Sequence, residues 1–315
     1  MSILVLTTAA GAPGASTTAL GLALSWPGPT VLVEADPAGT SIVPGWYRGG
    51  IDPQPRNIVN LALTEDAEAL TDAIFDQAVN LDPASDVQRL LLIGLTEPAQ
   101  APALQSWWAP IGEAFQTLSA AGYTVIVDAG RLTQGSYPTP LLTIADQVLL
   151  VCRGTLSSVL RSYPMALQLK SALTSSGNTD TLGLLVIHNY SERYYQPTDI
   201  AKRYGVSFTL SIPDDPASAA TLSDGIPARP PLLSRLRQRR DRTPADLPAP
   251  SAAPTDGHAD PAGELADPDA NPSDEDGNGK QVIQARLMRA YRTAAREAAA
   301  RVNQRQARLH LEPPA

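Results

Sequence analysis

The sequence is poor in the residue types that most often build cross-links and metal centres. Its 315 residues include one cysteine, Cys152, which excludes an intrachain disulfide and favours a reducing compartment. We therefore expect a cytoplasmic protein, with peripheral attachment to a membrane as the alternative. The three histidines, His188, His258 and His310, are too scattered along the chain to indicate a shared metal ion.

Long apolar runs are also missing. No stretch approaches the roughly 18 consecutive apolar residues that a membrane span needs. Residues 1–14 have no basic region and are typical of a first strand, so we do not expect a signal peptide. The hydrophobic content of 43% suits one large α/β domain or two small ones.

Charge is unevenly distributed along the chain. The formal charge is −8, which does not favour general affinity for nucleic acid. Residues 244–279 hold nine acidic and no basic side chains, whereas residues 280–315 hold eight basic and two acidic ones. The sequence therefore predicts an acidic body that is joined through an acidic strip to a basic end.

Short apolar runs alternate with stretches rich in alanine and leucine. This alternation predicts a three-layer, doubly wound, mostly parallel sheet with right-handed crossovers. The predicted strands are almost wholly apolar, as in a sheet covered on both faces, and span 3–8, 30–35, 89–94, 123–129, 146–152, 182–187 and 207–212. The predicted helices span 15–25, 66–79, 101–121, 156–174, 197–204 and 215–223.

The composition divides the chain into three parts. Residues 1–232 form the predicted α/β domain. Residues 233–279 are rich in Pro, Ala, Asp and Gly, so we expect a disordered linker that buries too little apolar surface to fold. Residues 280–310 have apolar side chains at helical spacing and arginines on the other side, which predicts a basic amphipathic helix.

The terminal helix offers few large apolar anchors, among them Ile283, Leu287 and Tyr291. This is a thin face for membrane insertion, so we expect a protein partner rather than an anionic membrane or DNA. A solvated helix without a partner is the alternative, because isolated helices are marginal in water.

The stretch TTAAGAPGASTTALGLAL, residues 7–24, has the form of a phosphate-binding loop that leads into a helix. Gly11 and Gly14 allow close approach of a phosphate, and the hydroxyl of Ser16 or Thr17 suits Mg²⁺. Such loops normally place a lysine before the Ser/Thr pair, but here Ala15 occupies that position. Taken alone, the loop equally fits a turn that packs a helix closely on a sheet.

Further motifs follow in a defined order. Strands end at Asp36-Pro37 and at Asp128, and later motifs contain Asn189, the pair Pro213-Asp214 and the run LSDGIPA. In order and spacing this set resembles the ParA/MinD family of deviant-Walker P-loop ATPases, over residues 2–228.

The resemblance implies a role for each matching residue and a cofactor, ATP or ADP with Mg²⁺. Asp36 would orient the attacking water, Ser16 and Asp128 would hold the metal, and Asn189, Pro213 and Asp214 would lie at the adenine. The implied phosphate loop is Gly11, Ala12, Pro13, Gly14, Ala15, Ser16 and Thr17. A homodimer is also implied, as the family forms an ATP sandwich.

The chain departs from the family at two lysines, which are Ala10 and Ala15 here. One fixed charge at such a site is worth about 10²–10³ in rate, so we expect weak or absent hydrolysis. The first hypothesis is thus a regulator or spatial adaptor, as in the CpaE/TadZ group of pilus and secretion proteins. A slow ATPase for DNA partitioning, using Arg131 or Arg153 as its cation, and a nucleotide-free interaction module are the alternatives.

Dinucleotide binding is a further alternative. Gly11 and Gly14 lie three apart, and Glu34 closes the next strand at the place of a ribose-binding acid. The third glycine of that motif is missing. The Tyr-x-x-x-Lys pair of short-chain reductases is excluded, because the residues four before the three lysines are Ala166, Thr198 and Asp276.

Overall fold

The computed structural model describes residues 2–9, 13–47, 56–64, 69–132, 137–189, 194–225 and 285–311. The predicted linker, 233–279, lies outside the described residues, as do Gly11 and Ala12 of the loop. The predicted division into three domains therefore stays a prediction.

The described strands form one sheet in the order β3-β4-β2-β5-β1-β6-β7-β8. Neighbouring strands are parallel except β3, which runs antiparallel to β4. The strands are β1 Ser2–Thr8, β2 Thr30–Glu34, β3 Val79–Asn80, β4 Arg89–Leu92, β5 Thr124–Arg131, β6 Gln147–Arg153, β7 Leu182–His188 and β8 Phe208–Pro213.

Helices lie between the parallel strands along the chain, and two more in the described ranges follow the last strand. The helices are α1 Ala15–Ser25, α2 Ile42–Gly45, α3 Leu70–Gln77, α4 Trp108–Ala120, α5 Thr139–Ile144, α6 Leu156–Ser175, α7 Pro197–Tyr204, α8 Pro216–Ser223 and α9 Ala285–Leu311. Short 3-10 helices occur at Ile58–Leu63, Pro98–Leu104 and Thr179–Thr181.

The predicted fold class is confirmed. All seven predicted strands are present, with ends that differ by a few residues, and the two-residue strand β3 was missed. The predicted helix 101–121 is wrong as one element, because a 3-10 helix that contains Pro102 precedes α4. Pro102 has no N–H to donate and breaks the helical ladder. The short helices α2 and α5 carry too few residues for a periodic signal.

Side chains alternate between the two faces of the sheet. On β1, Ile3 and Val5 belong to the apolar core beneath α3 to α7, whereas Leu4 and Leu6 belong to the core beneath α1, α2, α8 and α9. Each face is thus covered by helices, which explains why the strands are apolar on both sides.

The terminal helix α9 packs against its own chain. It lies beside α1 and over β8, and its buried face consists of Leu287, Tyr291, Ala294, Ala295, Ala298 and Val302. Its last turns also contact the body, since Arg305 donates to the Asn178 side chain at 3.1 Å. The expectation that this apolar face binds a separate protein is therefore corrected: the same chain buries it. Partner binding through the helix stays a prediction for its exposed arginines.

Gly21 on α1 leaves room for Tyr291, the largest side chain on the buried face of α9. A Cβ at Gly21 would lie 2.4 Å from the ring of Tyr291, so the ring rests directly on the α1 backbone. Burial is the main cause that raises the pKa of Tyr291 to about 12. The phenol therefore stays neutral at physiological pH.

No helix within the described ranges is long and apolar enough to cross a membrane.

We predict that Gly21→Ala destabilises the chain by about 1–3 kcal/mol through overpacking against Tyr291. In an isolated helix the same change would stabilise by about 1 kcal/mol. Urea unfolding of Gly21→Ala, Tyr291→Ala and the double variant measures the coupling of the two sites. An equal effect of Gly21→Ala with and without Tyr291 would contradict this packing.

Candidate functional site

Helix α1 begins at the carboxyl end of β1, directly after Gly14. Gly14 adopts a left-handed conformation with φ 98°, and no side chain caps the helix. The first N–H groups of a helix have no partner within the helix and attract anions. The sequence Ala15-Ser16-Thr17 therefore presents backbone donors to whatever lies in front of this turn.

A cavity of about 450 Å³ opens at this turn. That volume is within the usual range for small-molecule sites. Its walls come from the loop and α1, the segments after β2 and β5, and α8, and the lining includes Thr8, Pro13, Gly14, Ala15, Ser16, Thr17, Asp36, Pro37, Ala38, Ser41, Ile42, Gly130, Arg131, Leu222 and Ser223.

Asp128 lies behind the cavity at 1% exposure. Its carboxylate accepts hydrogen bonds from the Ser16 hydroxyl and from the Gly130 N–H, the latter at 3.1 Å. Burial raises its pKa from 3.8 to about 7 against the effect of these hydrogen bonds, and the negative charges of Asp36 and Glu34 add to the rise. Asp128 thus reaches the cavity through Ser16.

Asp36 lines the cavity itself. Its carboxylate accepts the Ala38 N–H at 2.8 Å, which holds the turn after β2. Burial raises its pKa, opposed by the Ala38 hydrogen bond and the positive charge of Arg131. Gly130 makes room for it: φ there is 61°, and a Cβ would lie 2.0 Å from the Asp36 carboxyl carbon.

Glu34 is buried and builds the wall beside Asp36. Its carboxylate accepts the N–H groups of Ser41 and Ile42 at 2.8 and 2.9 Å, and also a hydrogen bond from the Thr40 hydroxyl. These contacts direct it into the protein rather than towards a ligand. The dinucleotide alternative, which required Glu34 at a ribose, loses its support.

The three residues predicted at the adenine lie together at the carboxyl ends of β7 and β8. Asn189, Pro213 and Asp214 line a second cavity, of about 550 Å³, together with Arg286 of α9. The Gly14 turn adjoins this edge, since a Cβ there would lie 3.3 Å from Ile187 Cδ1.

The two arginines proposed as substitutes for lysine occupy different places. Arg153 donates to Asp214 at 2.9 Å, at the second cavity. Arg131 is the basic side chain among the described residues that line the first cavity. The lysines with described positions, Lys170 and Lys202, lie on α6 and α7 on the other face of the sheet. Among the described residues the first cavity thus combines Asp36 in its lining and Asp128 behind it with one cation, Arg131.

The residues present fit a magnesium ion only in part. A hydroxyl and a carboxylate, Ser16 and Asp128, are adjacent and offer the oxygen ligands that Mg²⁺ prefers. The described residues contain no group of three or more His, Cys, Asp or Glu side chains able to hold a metal. A magnesium ion would therefore complete its shell with water and phosphate oxygens, and when bound it would neutralise phosphate charge.

Sequence reasoning missed part of the cavity wall. Ser41 and Ile42 from the start of α2 face Leu222 and Ser223 from α8 across the cavity. This wall depends on a contact that the sequence does not indicate: a Cβ at Gly45 would lie 2.0 Å from the Ser223 carbonyl oxygen. A glycine is required there for α2 and α8 to meet.

No protein-family model matches the chain, and no curated protein is significantly similar to it in sequence. Solved structures do match. Apo McdA from Cyanothece superposes with a TM-score of 0.54 at 18% identity, over 76% of this chain and 94% of that chain. A variant of McdA in complex with ATP gives a TM-score of 0.54 at 18% identity, over 75% of this chain and 90% of that chain.

Two further structures extend the likeness. A ParA-family ATPase from Chlorobium tepidum superposes with a TM-score of 0.51 at 13% identity, over 69% of this chain and 87% of that chain. The cell division ATPase MinD from Pyrococcus furiosus superposes with a TM-score of 0.50 at 21% identity, over 72% of this chain and 89% of that chain. The chain has the ParA/MinD fold. At these identities the likeness concerns architecture alone.

We predict that Asp128 makes stability depend on pH. A carboxyl whose pKa is higher in the folded than in the unfolded chain favours folding only while protonated, so stability falls as pH rises from about 4 to 7. Asp128→Asn keeps an acceptor for Ser16 and Gly130 but no charge. It should therefore raise the unfolding free energy at pH 8 by on the order of 2–4 kcal/mol.

Urea unfolding in chelator between pH 5 and 8 measures this effect. Asp86→Asn, at an exposed carboxyl, is the matched control and should leave the pH profile unchanged. A pH slope that persists in Asp128→Asn would contradict the assignment.

Proposed function

We propose that the chain binds a nucleoside triphosphate at the α1 turn and acts as a regulator or spatial adaptor with weak or absent hydrolysis. The observation that carries this proposal is the arrangement of Ser16, Asp128 and Asp36 around the uncapped start of α1. Backbone N–H groups and a hydroxyl–carboxylate pair can hold Mg²⁺ and phosphates without a lysine. The McdA–ATP complex on the same fold supports the choice of ATP.

Weak hydrolysis follows from the charges at the site. Phosphoryl transfer depends on fixed cations that meet the charge developing on the transferred group. Ala15 replaces one such cation, and a buried alanine at the start of α1 offers only its backbone. With two acids nearby, the described part of the cavity is better suited to holding a Mg²⁺–nucleotide than to cleaving it.

A second candidate, a slow ATPase, is favoured by Arg131. This arginine lines the cavity and its charge acts on Asp36, so both a cation and a water-orienting acid are at hand. For both candidates we propose the roles that the sequence resemblance suggests, in pilus or secretion machinery or in partitioning. A homodimer is part of both proposals.

We predict that Ala15→Lys strengthens ATP binding by about tenfold, because the lysine places a positive charge beside the phosphates. Ala15→Met is the matched control, since it adds comparable bulk without charge and should leave affinity unchanged or reduce it. Isothermal titration with ATP, with and without Mg²⁺, measures the dissociation constants. If neither the wild type nor Ala15→Lys binds ATP, the proposal is wrong and the nucleotide-free interaction module is favoured instead.

Turnover separates the two candidates. We expect phosphate release by the wild type near the background rate, with no change in Arg131→Ala or Asp36→Ala. Steady release that either substitution abolishes would establish the slow ATPase instead.

A further inference from the structure

Helix α6 is apolar on two sides. Its inner side, which includes Ala166, Leu169 and Leu173, packs into the core beneath the sheet. On the outer side Leu156, Leu160 and Leu167 are 54, 64 and 45% exposed. Their spacings of four and seven residues place them on one stripe, about 16 Å long at 1.5 Å per residue.

This outer stripe continues beyond the helix. Tyr195, 48% exposed, lies next to the start of α6, since its N–H donates to the Gly154 carbonyl at 2.7 Å. Among the described residues the other large apolar side chains with comparable exposure are Leu63 and Leu309, which lie elsewhere. A group of exposed apolar side chains on one side of the molecule marks an interaction surface more often than isolated exposed residues do. We call Tyr195, Leu156, Leu160 and Leu167 the α6 stripe.

The charges around the α6 stripe are mainly positive. Helices α6 and α7 pack together and carry Arg161, Lys170, Lys202 and Arg203 against one acid, Asp199. Arg203 stays close to the stripe because its guanidinium lies 5.1 Å from the centre of the Tyr163 ring. This surface is therefore basic on a chain whose formal charge is −8.

We propose that the α6 stripe binds an amphipathic helix of another protein, one with a leucine-rich face flanked by acidic residues. Leucines at helical spacing match the ridges of a facing helix, and basic residues on α6 and α7 match its acids. A second copy of this chain fits less well, because two copies would bring net-positive surfaces together. The proposal does not depend on nucleotide binding.

The α6 stripe starts at the site edge of the sheet. Thr155 pairs with Tyr194, and the hydroxyl of Tyr194 donates to Asp214, which lines the second cavity. A helix bound at Leu156 would thus lie near the carboxyl ends of the strands, where the candidate nucleotide site also lies.

The test uses the full chain and designed labelled peptides. One peptide has leucines at positions i, i+3, i+4 and i+7 with flanking glutamates, and a second has lysines in place of the glutamates. Fluorescence anisotropy should show binding of the acidic peptide and none of the basic one. Leu160→Glu should weaken binding by about tenfold or more, as expected for a central contact, whereas Leu63→Glu, at another exposed leucine, should not.

Hydrogen exchange should show protection confined to α6 and α7 on binding of the acidic peptide. Arg161→Glu should weaken binding of the acidic peptide and strengthen binding of the basic one. No binding of the acidic peptide, or equal losses in Leu160→Glu and Leu63→Glu, would overturn the proposal. So would a dimer in light scattering that Leu160→Glu dissociates, which would assign the stripe to a second copy.

Discussion

The site depends on the register of β1 between β5 and β6. Leu6 lies opposite Asp128 on β5 and opposite Leu149 on β6, so the carboxyl ends of these parallel strands meet at one edge. The chain leaves β1 at that edge and turns into α1, which brings Ser16 to the Asp128 carboxylate. A shift of one residue would reverse the faces of β1, so the apolar pattern that holds the sheet also positions the site.

Around that edge the described residues concentrate negative charge and include few cations. Glu34, Asp36 and Asp128 lie close enough that the charges of the first two raise the pKa of the third. Hydrogen bonds from the turn after β2 stabilise the negative charge of Glu34. The Asp128 carboxylate is buried, so its charge is stabilised mainly by Ser16 and Gly130. A divalent cation is the ligand that would relieve this repulsion most directly.

Much of the fold follows from local patterns in the sequence. Apolar runs identify the seven longer strands, and acids at strand ends identify Asp36 and Asp128, because parallel strands align their carboxyl ends at one edge. The cavity wall formed by Ser41 and Leu222 could not be predicted, since it depends on the contact at Gly45 between segments distant in sequence. Two-residue and four-residue elements such as β3 and α2 are too short for periodicity to act.

The place of α9 could not be predicted either. The amphipathic pattern correctly indicates a helix with a buried face, but a pattern does not name the surface that covers it. Because the apolar face of this helix is rich in alanine and has few large side chains, the sequence suggested that it would dock only weakly. In the structure small side chains, Ala294, Ala295 and Ala298, let the helix approach the body closely, and Gly21 receives the one large ring.

The contact between Tyr291 and Gly21 joins α9 to α1, the helix that begins at the loop. Helix α1 carries the loop at its first residue and the Tyr291 ring two turns later, so a sliding or tilting of α1 cannot leave α9 in place. A substitution that alters the buried face of α9 would therefore also disturb the helix that begins at the loop.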